Sequence, residues 1–582
     1  MKNKSVELKL IKHMTQFEIR DGIAIIPEGT KEIEERAFEN SDVRRVAIPD
    51  SVKKIGGRAF AQCKALESVT FPNGLKTIPY SCFECCESLQ EVVIPESVTS
   101  IEKYAFLMCT ALTNIKLPDN LLSISSKAFK MCHSLQSIVI PKSTLAIGDD
   151  AFVNCPSLRS IEVDANNPAY DSRGGSNSII ITSANRLICG CSTTIIPDSV
   201  TEIWHHAFEG SSLESITVPN SVKAIRVDAF KNCKSLKSIT LSDSVIEILR
   251  CAFEGCISLQ NISFPRLLTK IEYSVFQGCT SLQSIYIPES VRVIDEFAFT
   301  DCVALQTIEV ADDNPVYDSR KGCNAIIETL KDNLILGCQA TVIPDTVKII
   351  GKEAFSGSSI SNITIPESVT NISESAFSKC NMLENITIPE SVNRIDHGAF
   401  STCRSLKSAM IADSVTEIGG GCWSYCHSLQ SVTLSKSLTM ISSMLFDNSS
   451  IPTIVIPDSV TIISDHAFRS CKNLQSVVFS ESLELISYNA FEYCEALTDV
   501  VFPKSLQKID YGAFRECKSL KTVTFSTGMK KIHETAFDGA RQLQAIYVPA
   551  NKTDYYKKRL PEKLHSLIVE LEPVKKTKGQ GK

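Results

Sequence analysis

The chain carries 23 cysteines, its most numerous candidates for nucleophilic, redox or metal chemistry. A thiolate does these most readily where its pKa is lowered and it is accessible, so the spacing decides. Most of the cysteines, including Cys63, Cys86, Cys109, Cys132, Cys155, Cys233, Cys256, Cys279, Cys302, Cys380, Cys403, Cys426, Cys471, Cys494 and Cys517, stand three residues after a phenylalanine or tryptophan. One thiol per repeat on an apolar face supplies no tetrahedral metal set, and burial raises its pKa. The column therefore reads as core, made of buried free thiols rather than a disulfide framework. Cys82-Phe83-Glu84-Cys85 is the only C-x-x-C, with no second pair or histidines at matching spacing to complete a zinc site. Cys82 also takes the place that alanine holds before the aromatic in other copies, as Cys422 does before Trp423.

The remaining reactive side chains are equally sparse. His205 and His206 are adjacent, and adjacent side chains diverge on a helix or a strand, which makes a ligand pair a poor reading. Serines at the I-P-E/D-S-V positions, such as Ser51, Ser97, Ser199, Ser290, Ser368 and Ser459, give way elsewhere to Thr346, Asn120, Gly74 or Leu267. That is a structural ladder in a turn rather than a set of nucleophiles. The sequence has no phosphate loop, nucleophile elbow or H-E-x-x-H. Glu91, Glu162 and Glu309 fall in different repeats without converging as a carboxylate pair would. No enzyme, catalytic residue, metal or cofactor is expected.

The elements that carry these residues repeat. Ala-Phe pairs and their variants recur every 22 or 23 residues, from Phe38 through Phe152, Phe208 through Phe299 and Phe355 through Phe537, with Trp423 in one copy, giving twenty copies. Isoleucine stands five residues before the aromatic in every one, as at Ile33, Ile55, Ile225, Ile350 and Ile532. One unit cannot bury its own apolar faces, so the copies must stack. In the unit Leu89 to Ala111, Val92 to Ile94 alternates as a short strand that Pro95 ends. Ser97-Val98 to Ile101 turns the coil, with a possible second extended piece, and Lys103 to Cys109 has room for one or two helical turns. The outward strand positions form two columns, Ser68, Glu91, Asn114 and onward, and Thr70, Val93, Lys116, Val139 through Tyr286. They are mostly small and neutral, with few of the Trp, Tyr and Arg anchors that dominate binding energetics.

Two inserts interrupt the array, at about 163–196 and 310–343, and match at an offset of 147 residues. Each contains Asn-Pro-x-Tyr-Asp-Ser-Arg and a β-branched hairpin pattern, and is expected to protrude. As a recognition loop it would use Tyr170, Asp171, Arg173, Tyr317, Asp318 and Arg320, with Tyr286 on the neighbouring strand face; as a spacer it would only set curvature. One carboxylate per motif cannot cage calcium. The expected organisation is an N-terminal extension and cap over 1–22, a solenoid over 23–550, and a C-terminal cap with a lysine-rich solvated tail over 551–582.

Composition narrows the partners. A formal charge of -6, with 43% hydrophobic and 22% charged residues, offers no basic face for nucleic acid. No 18-residue apolar run spans a membrane, and a monomer is expected. The N-terminal MKNKSVELKLIKHM is interrupted by Glu7, Lys9 and Lys12 and does not read as a signal peptide, which points to the cytoplasm.

The L-x-x-I-x-I-P-x-S-V-x-x-I-x-x-x-A-F-x-x-C unit, seen in Leu89 to Cys109 with Val92 at the first Ile position, resembles the BspA-like class of leucine-rich repeat proteins of Bacteroides-type bacteria. The resemblance runs from about Pro27 to Val548. It implies an α/β, right-handed leucine-rich repeat solenoid of parallel strands and short helical turns, with 20 coils of 22–23 residues and two hairpin-like inserts. It also implies surface antigens or adhesins that bind host proteins and other cells, and hence a cell-surface or secreted location as the alternative. A binding or adhesion scaffold for protein or glycan is thus the first expectation. An intracellular interaction scaffold is the second, and a solenoid enzyme acting on polysaccharide a distant third.

Overall fold

The computed structural model describes residues 17–526 and 529–572. They form two compact units, one running up to Leu282 and including Ser290–Phe299, the other made of Gln283–Glu289 and the chain from Thr300 onward. Both are parallel β-solenoids, with about 24 turns between them. The turns exceed the twenty aromatic copies because inserts and caps also contribute coils.

The coil around Phe106 shows how the sequence makes the stack. Glu91–Val93 is a strand with only Val92 buried, paired parallel and in register with Asn114–Lys116. Pro95 ends it, and the Val98 N–H closes a turn on the Pro95 carbonyl. The suspected second extended piece is real: Ser100–Ile101 lies between Thr77–Ile78 and Ser123–Ile124 in a four-stranded parallel sheet. It turns Ile101 inward and explains the invariant isoleucine column.

The segment Lys103 to Cys109 is not helical. Tyr104 and Met108 both have left-handed backbone, at φ 62° and 59°, and the pattern recurs in most coils, as at Arg58 and Gln62 or His466 and Ser470. Alternate N–H groups leave the coil: Phe106 donates to Ala128 at 2.8 Å and Met108 to Lys130 at 2.9 Å, while Ala105, Leu107 and Cys109 close local turns. A helix this short is marginal in isolation. The turn ladder satisfies the same groups against the next coil and lets every ring face its neighbour. Among the described residues, α-helix is confined to Thr553–Lys557, with 3-10 segments at Arg173–Gly175, Arg320–Gly322 and Glu562–Leu567; none is long and apolar enough to cross a membrane.

The aromatics line up as stacked rings. In the first unit, Phe38 to Phe152 are spaced 5.0–5.4 Å between centroids and inclined by 9° or less. In the second unit the series runs from Phe355 through Trp423 to Phe537. The cysteine column lies beside them and is buried. Thiols along the column donate to the carbonyl of the aromatic residue one coil earlier, as from Cys109 to Phe83 and from Cys494 to Phe468, both at 3.1 Å. Of the five copies that lack the thiol, four carry Ser41, Ser211, Ser358 or Ser449 at that position and the last carries Ala540.

The inserts do not protrude. Tyr170–Asp171, Ser178–Ile181 and Arg186–Gly190 form an antiparallel set that joins Glu202–Ile203, Ala224–Ile225 and Glu247–Ile248 in one six-stranded sheet. Arg186–Gly190 pairs parallel with Glu202–Ile203, so the hairpin is itself a coil of the stack. Its second copy, Tyr317–Asp318, Ala325–Glu328 and Asn333–Gly337, enters a seven-stranded sheet in the other unit in the same way. The reason is apolar burial: Ile179, Ile180, Leu187 and Ile188, like Ile326, Ile327 and Leu334, have side chains that solvent would penalise.

An antiparallel hairpin, Glu18–Arg20 with Ile23–Ile25, opens the first unit, turning through Asp21 and Gly22 at positive φ. Phe17 stacks on Phe38 and covers the first ring. At the other end Ile568–Glu570 adds a parallel strand to Ala545–Val548, and buried Tyr556 stacks on Phe525. The leading residues 1–16 of the expected cap and the lysine-rich tail from Pro573 lie outside the described residues.

Candidate binding surface

The outward column of the first strand is the one extended surface each repeat contributes to. Its residues sit between two buried neighbours, so the period-two alternation of the strand forces them out. In the second unit the column is more apolar than its small residues suggest from sequence. Met410 is 58% exposed, Val455 65%, Val478 58% and Val501 65%. Met410 pairs in register with Thr433, and Val455 with Val478. Tyr286, also in this unit, is 52% exposed and opposite Glu309. Branched side chains held on a rigid sheet lose little entropy when a partner covers them.

Of the insert candidates the two tyrosines are buried, while Asp171, Arg173, Asp318 and Arg320 are partly exposed and paired with one another. Tyr170 and Tyr317 are buried, and the Tyr170 hydroxyl accepts the Ile147 N–H at 2.9 Å. Asn167 donates to the Pro141 and Thr144 carbonyls and accepts from Ala169 and Tyr170 N–H. Arg173 forks onto Asp171 at 2.7 and 2.6 Å and reaches Asn185 and Ser199. Burial works to raise the Asp171 carboxyl, but Arg173 and the Thr182 hydroxyl outweigh it and hold it below the ordinary carboxylate range. Arg320 repeats the fork on Asp318 and bridges to Asp332 at 2.9 Å. The Asn-Pro-x-Tyr-Asp-Ser-Arg motif is thus a splice that bonds the hairpin into the stack.

The expected ladder forms at part of the turn serines: Ser97 donates to the Leu75 carbonyl, Ser290 to Leu268 and Ser505 to Leu483, each one coil back, at 2.6–2.7 Å, whereas the buried hydroxyls of Ser221, Ser368 and Ser391 have no partner among the described residues. The acidic residue before the serine has a matching role, since Asp50 accepts the Asn73 N–H and Asp413 the Lys436 N–H. His205 and His206 diverge. His206 Nδ1 lies 2.7 Å from Glu209, which raises its pKa, whereas burial lowers that of His205, edge-on to Trp204.

Two groupings were invisible along the sequence because they form across coils. Asp228, Cys251 and Glu254 bring one ligand atom each within 4.8 Å of one another. Lys231 already supplies a cation there, 2.8 Å from Glu254 and 3.6 Å from Asp228. The second grouping splits the C-x-x-C: Cys82 is in the core, while Cys85 is half-buried and its thiol donates to Met108 Sδ at 3.8 Å. Writing the repeats one above another, by the position two after the aromatic, would have revealed it.

Comparison with known proteins gives a family match over most of the chain. The family described as "BspA type Leucine rich repeat region (6 copies)" matches residues 31–162, 189–319, 335–452 and 439–559. No curated protein matches. Among solved structures, a leucine-rich repeat protein from Bacteroides ovatus ATCC 8483 aligns at 20% identity over 86% of this chain and 88% of its own, with a TM-score of 0.29. One from Eubacterium ventriosum ATCC 27560 aligns at 20% identity over 73% and 84%, with a TM-score of 0.39. The pneumococcal vaccine antigen PcpA aligns at 19% identity over 63% and 79%, with a TM-score of 0.39.

Proposed function

Because the chain belongs to the BspA-type leucine-rich repeat family, we propose that it is a non-catalytic binding and adhesion scaffold whose strand face recognises a protein partner. One observation carries the reading: Met410, Val455, Val478 and Val501 stand exposed at the outward position of short parallel strands where the repeat could have placed polar residues. Soluble proteins rarely leave such side chains grouped without use. Hydroxyl residues of the same column, Thr387, Thr433 and Thr524, flank them and would supply hydrogen bonds. A glycan is the second ligand class, favoured by those hydroxyls and by Tyr286.

The test is retention of purified extracellular proteins and glycans on an array by the full chain and by a Val455→Glu/Val478→Glu/Val501→Glu variant. Specific retention by the wild type, lost in the variant with its circular dichroism unchanged, is expected. A wild type that retains nothing would count against the scaffold reading. The intracellular scaffold uses the same surface, and its partners would be cytoplasmic. Protease treatment of intact cells, with fractionation, separates the two: cleavage places the surface outside, protection inside.

A further inference from the structure

We propose that Cys85, Met108 and Met131 form a binding site for a monovalent soft metal ion, copper(I), on the turn face of the first unit. The three occupy the same position, two residues after the aromatic, in three consecutive coils; of the twenty copies no other has sulfur there. This position has left-handed backbone, at φ 60°, 59° and 62° in the three. Such a conformation favours asparagine or glycine, and other coils supply them, as at Asn40, Asn154, Asn232, Gly255 and Gly278. Backbone geometry therefore gives no reason for a thiol and two thioethers in succession.

The turn ladder fixes their spacing. Cys85 N–H donates to Leu107, Met108 N–H to Lys130 and Met131 N–H to Val153, at 2.7, 2.9 and 2.9 Å, so the three backbones stack rung on rung. All three side chains are half-buried, in contact with solvent yet held against the coil. Cys85 Sγ and Met108 Sδ are 3.8 Å apart. With metal–sulfur bonds of about 2.3 Å, trigonal coordination requires sulfurs about 4.0 Å apart and linear coordination about 4.6 Å. The observed separation fits a three-sulfur site, and Met131 holds the next rung.

Charge selects the ion. The site offers one ionisable donor, so replacing the thiol proton by copper(I) gives a neutral complex and releases one H⁺, with no change in the metal's oxidation state. A divalent ion would leave a net positive charge in a half-buried place, and thioethers select soft ions over zinc.

The experiment is anaerobic titration of the reduced full chain with copper(I) in competition with bicinchoninate. One tight copper(I) per chain is expected, absent in Cys85→Ser, about tenfold weaker in Met108→Leu and in Met131→Leu, and unchanged in Cys251→Ser. X-ray absorption of the loaded protein should show sulfur alone in the first shell. Thermal melts of the metal-free variants separate ligand loss from misfolding. As a second readout, silver(I) should protect Cys85 from alkylation at a roughly tenfold lower concentration in the wild type than in Met108→Leu. Copper retained in Cys85→Ser, equal affinity in the methionine variants, oxygen or nitrogen in the shell, or no binding by the wild type would each overturn the site.

Discussion

Replacing Gly337 by alanine tests how the inserts enter the stack. Gly337 ends the insert strand and donates its N–H to the Ala354 carbonyl at 2.7 Å, the bond that the aromatic residue makes in an ordinary coil. It stands where a ring would be, and the ring of Phe355 closes over it: a Cβ would lie 2.1 Å from Cε1 and 2.5 Å from Cζ. Phe355 cannot retreat freely, because its ring stacks on Phe377 at 4.9 Å and 4°. Overpacking of this kind costs about 1–3 kcal/mol, and with the backbone bond and the ring both fixed the upper end, about 3 kcal/mol, is expected. Phe355→Ala alone should cost about 3–5 kcal/mol. If the collision is the cause, the double variant costs no more than Phe355→Ala, giving a coupling of about −3 kcal/mol. The measurement is urea unfolding in a Trp204→Phe background, where fully buried Trp423 reports on the same unit. A Gly337→Ala chain as stable as its parent, or a double variant with additive costs, would refute the packing argument; Gly190 beneath Phe208 repeats the geometry.

Further outcomes follow from the thiols and the insert ion pair. In the native protein half-buried Cys85 should be the thiol that reacts most readily with a thiol reagent, and all 23 should react after denaturation, since Cys251, though also half-buried, is pushed up to about 12 by burial and Glu254 and the rest are buried, which pushes thiols such as Cys471 up to about 12; mass mapping of the labels checks it. Cys494→Ala should destabilise by about 1–2 kcal/mol in urea, through lost packing and the lost bond to Phe468, whereas half-buried Cys85→Ala should be close to neutral. Asp171 is held below its unfolded pKa, so its pairing stabilises above the ordinary carboxylate range and is lost as pH falls through the lowered folded value. Thermal melts of wild type and Asp171→Asn should therefore differ at pH 7 and converge below about pH 4. His206 has the opposite sign: Glu209 raises its pKa, so its contribution is full below about pH 6.5 and lost as pH rises through the raised value, which melts of His206→Gln from pH 5 to 8 should show.

Much of the fold was legible from period and phase. The isoleucine, aromatic and cysteine columns were core by their recurrence alone, and each is buried apart from half-buried Ile294. The turn segment was not legible, because Ala-Phe-x-x-Cys has helical spacing and ordinary helix formers. Only the neighbouring coil, receiving alternate N–H groups, makes left-handed residues such as Tyr104 and Met108 worth their strain. The internal pairing of the insert residues was not legible for a related reason. Tyrosine, aspartate and arginine together suggest recognition, yet here they satisfy one another and the coil before them.

The sequence by itself determined that short coils stack through apolar columns, because one coil of 22 or 23 residues cannot bury its own strand and turn faces. It also determined where the array is interrupted. Tertiary structure alone decided that the hairpins become coils. It also set Cys85 beside Met108. The physical reason is that those features are contacts between residues one coil apart, and such contacts exist only once the register between coils has been fixed.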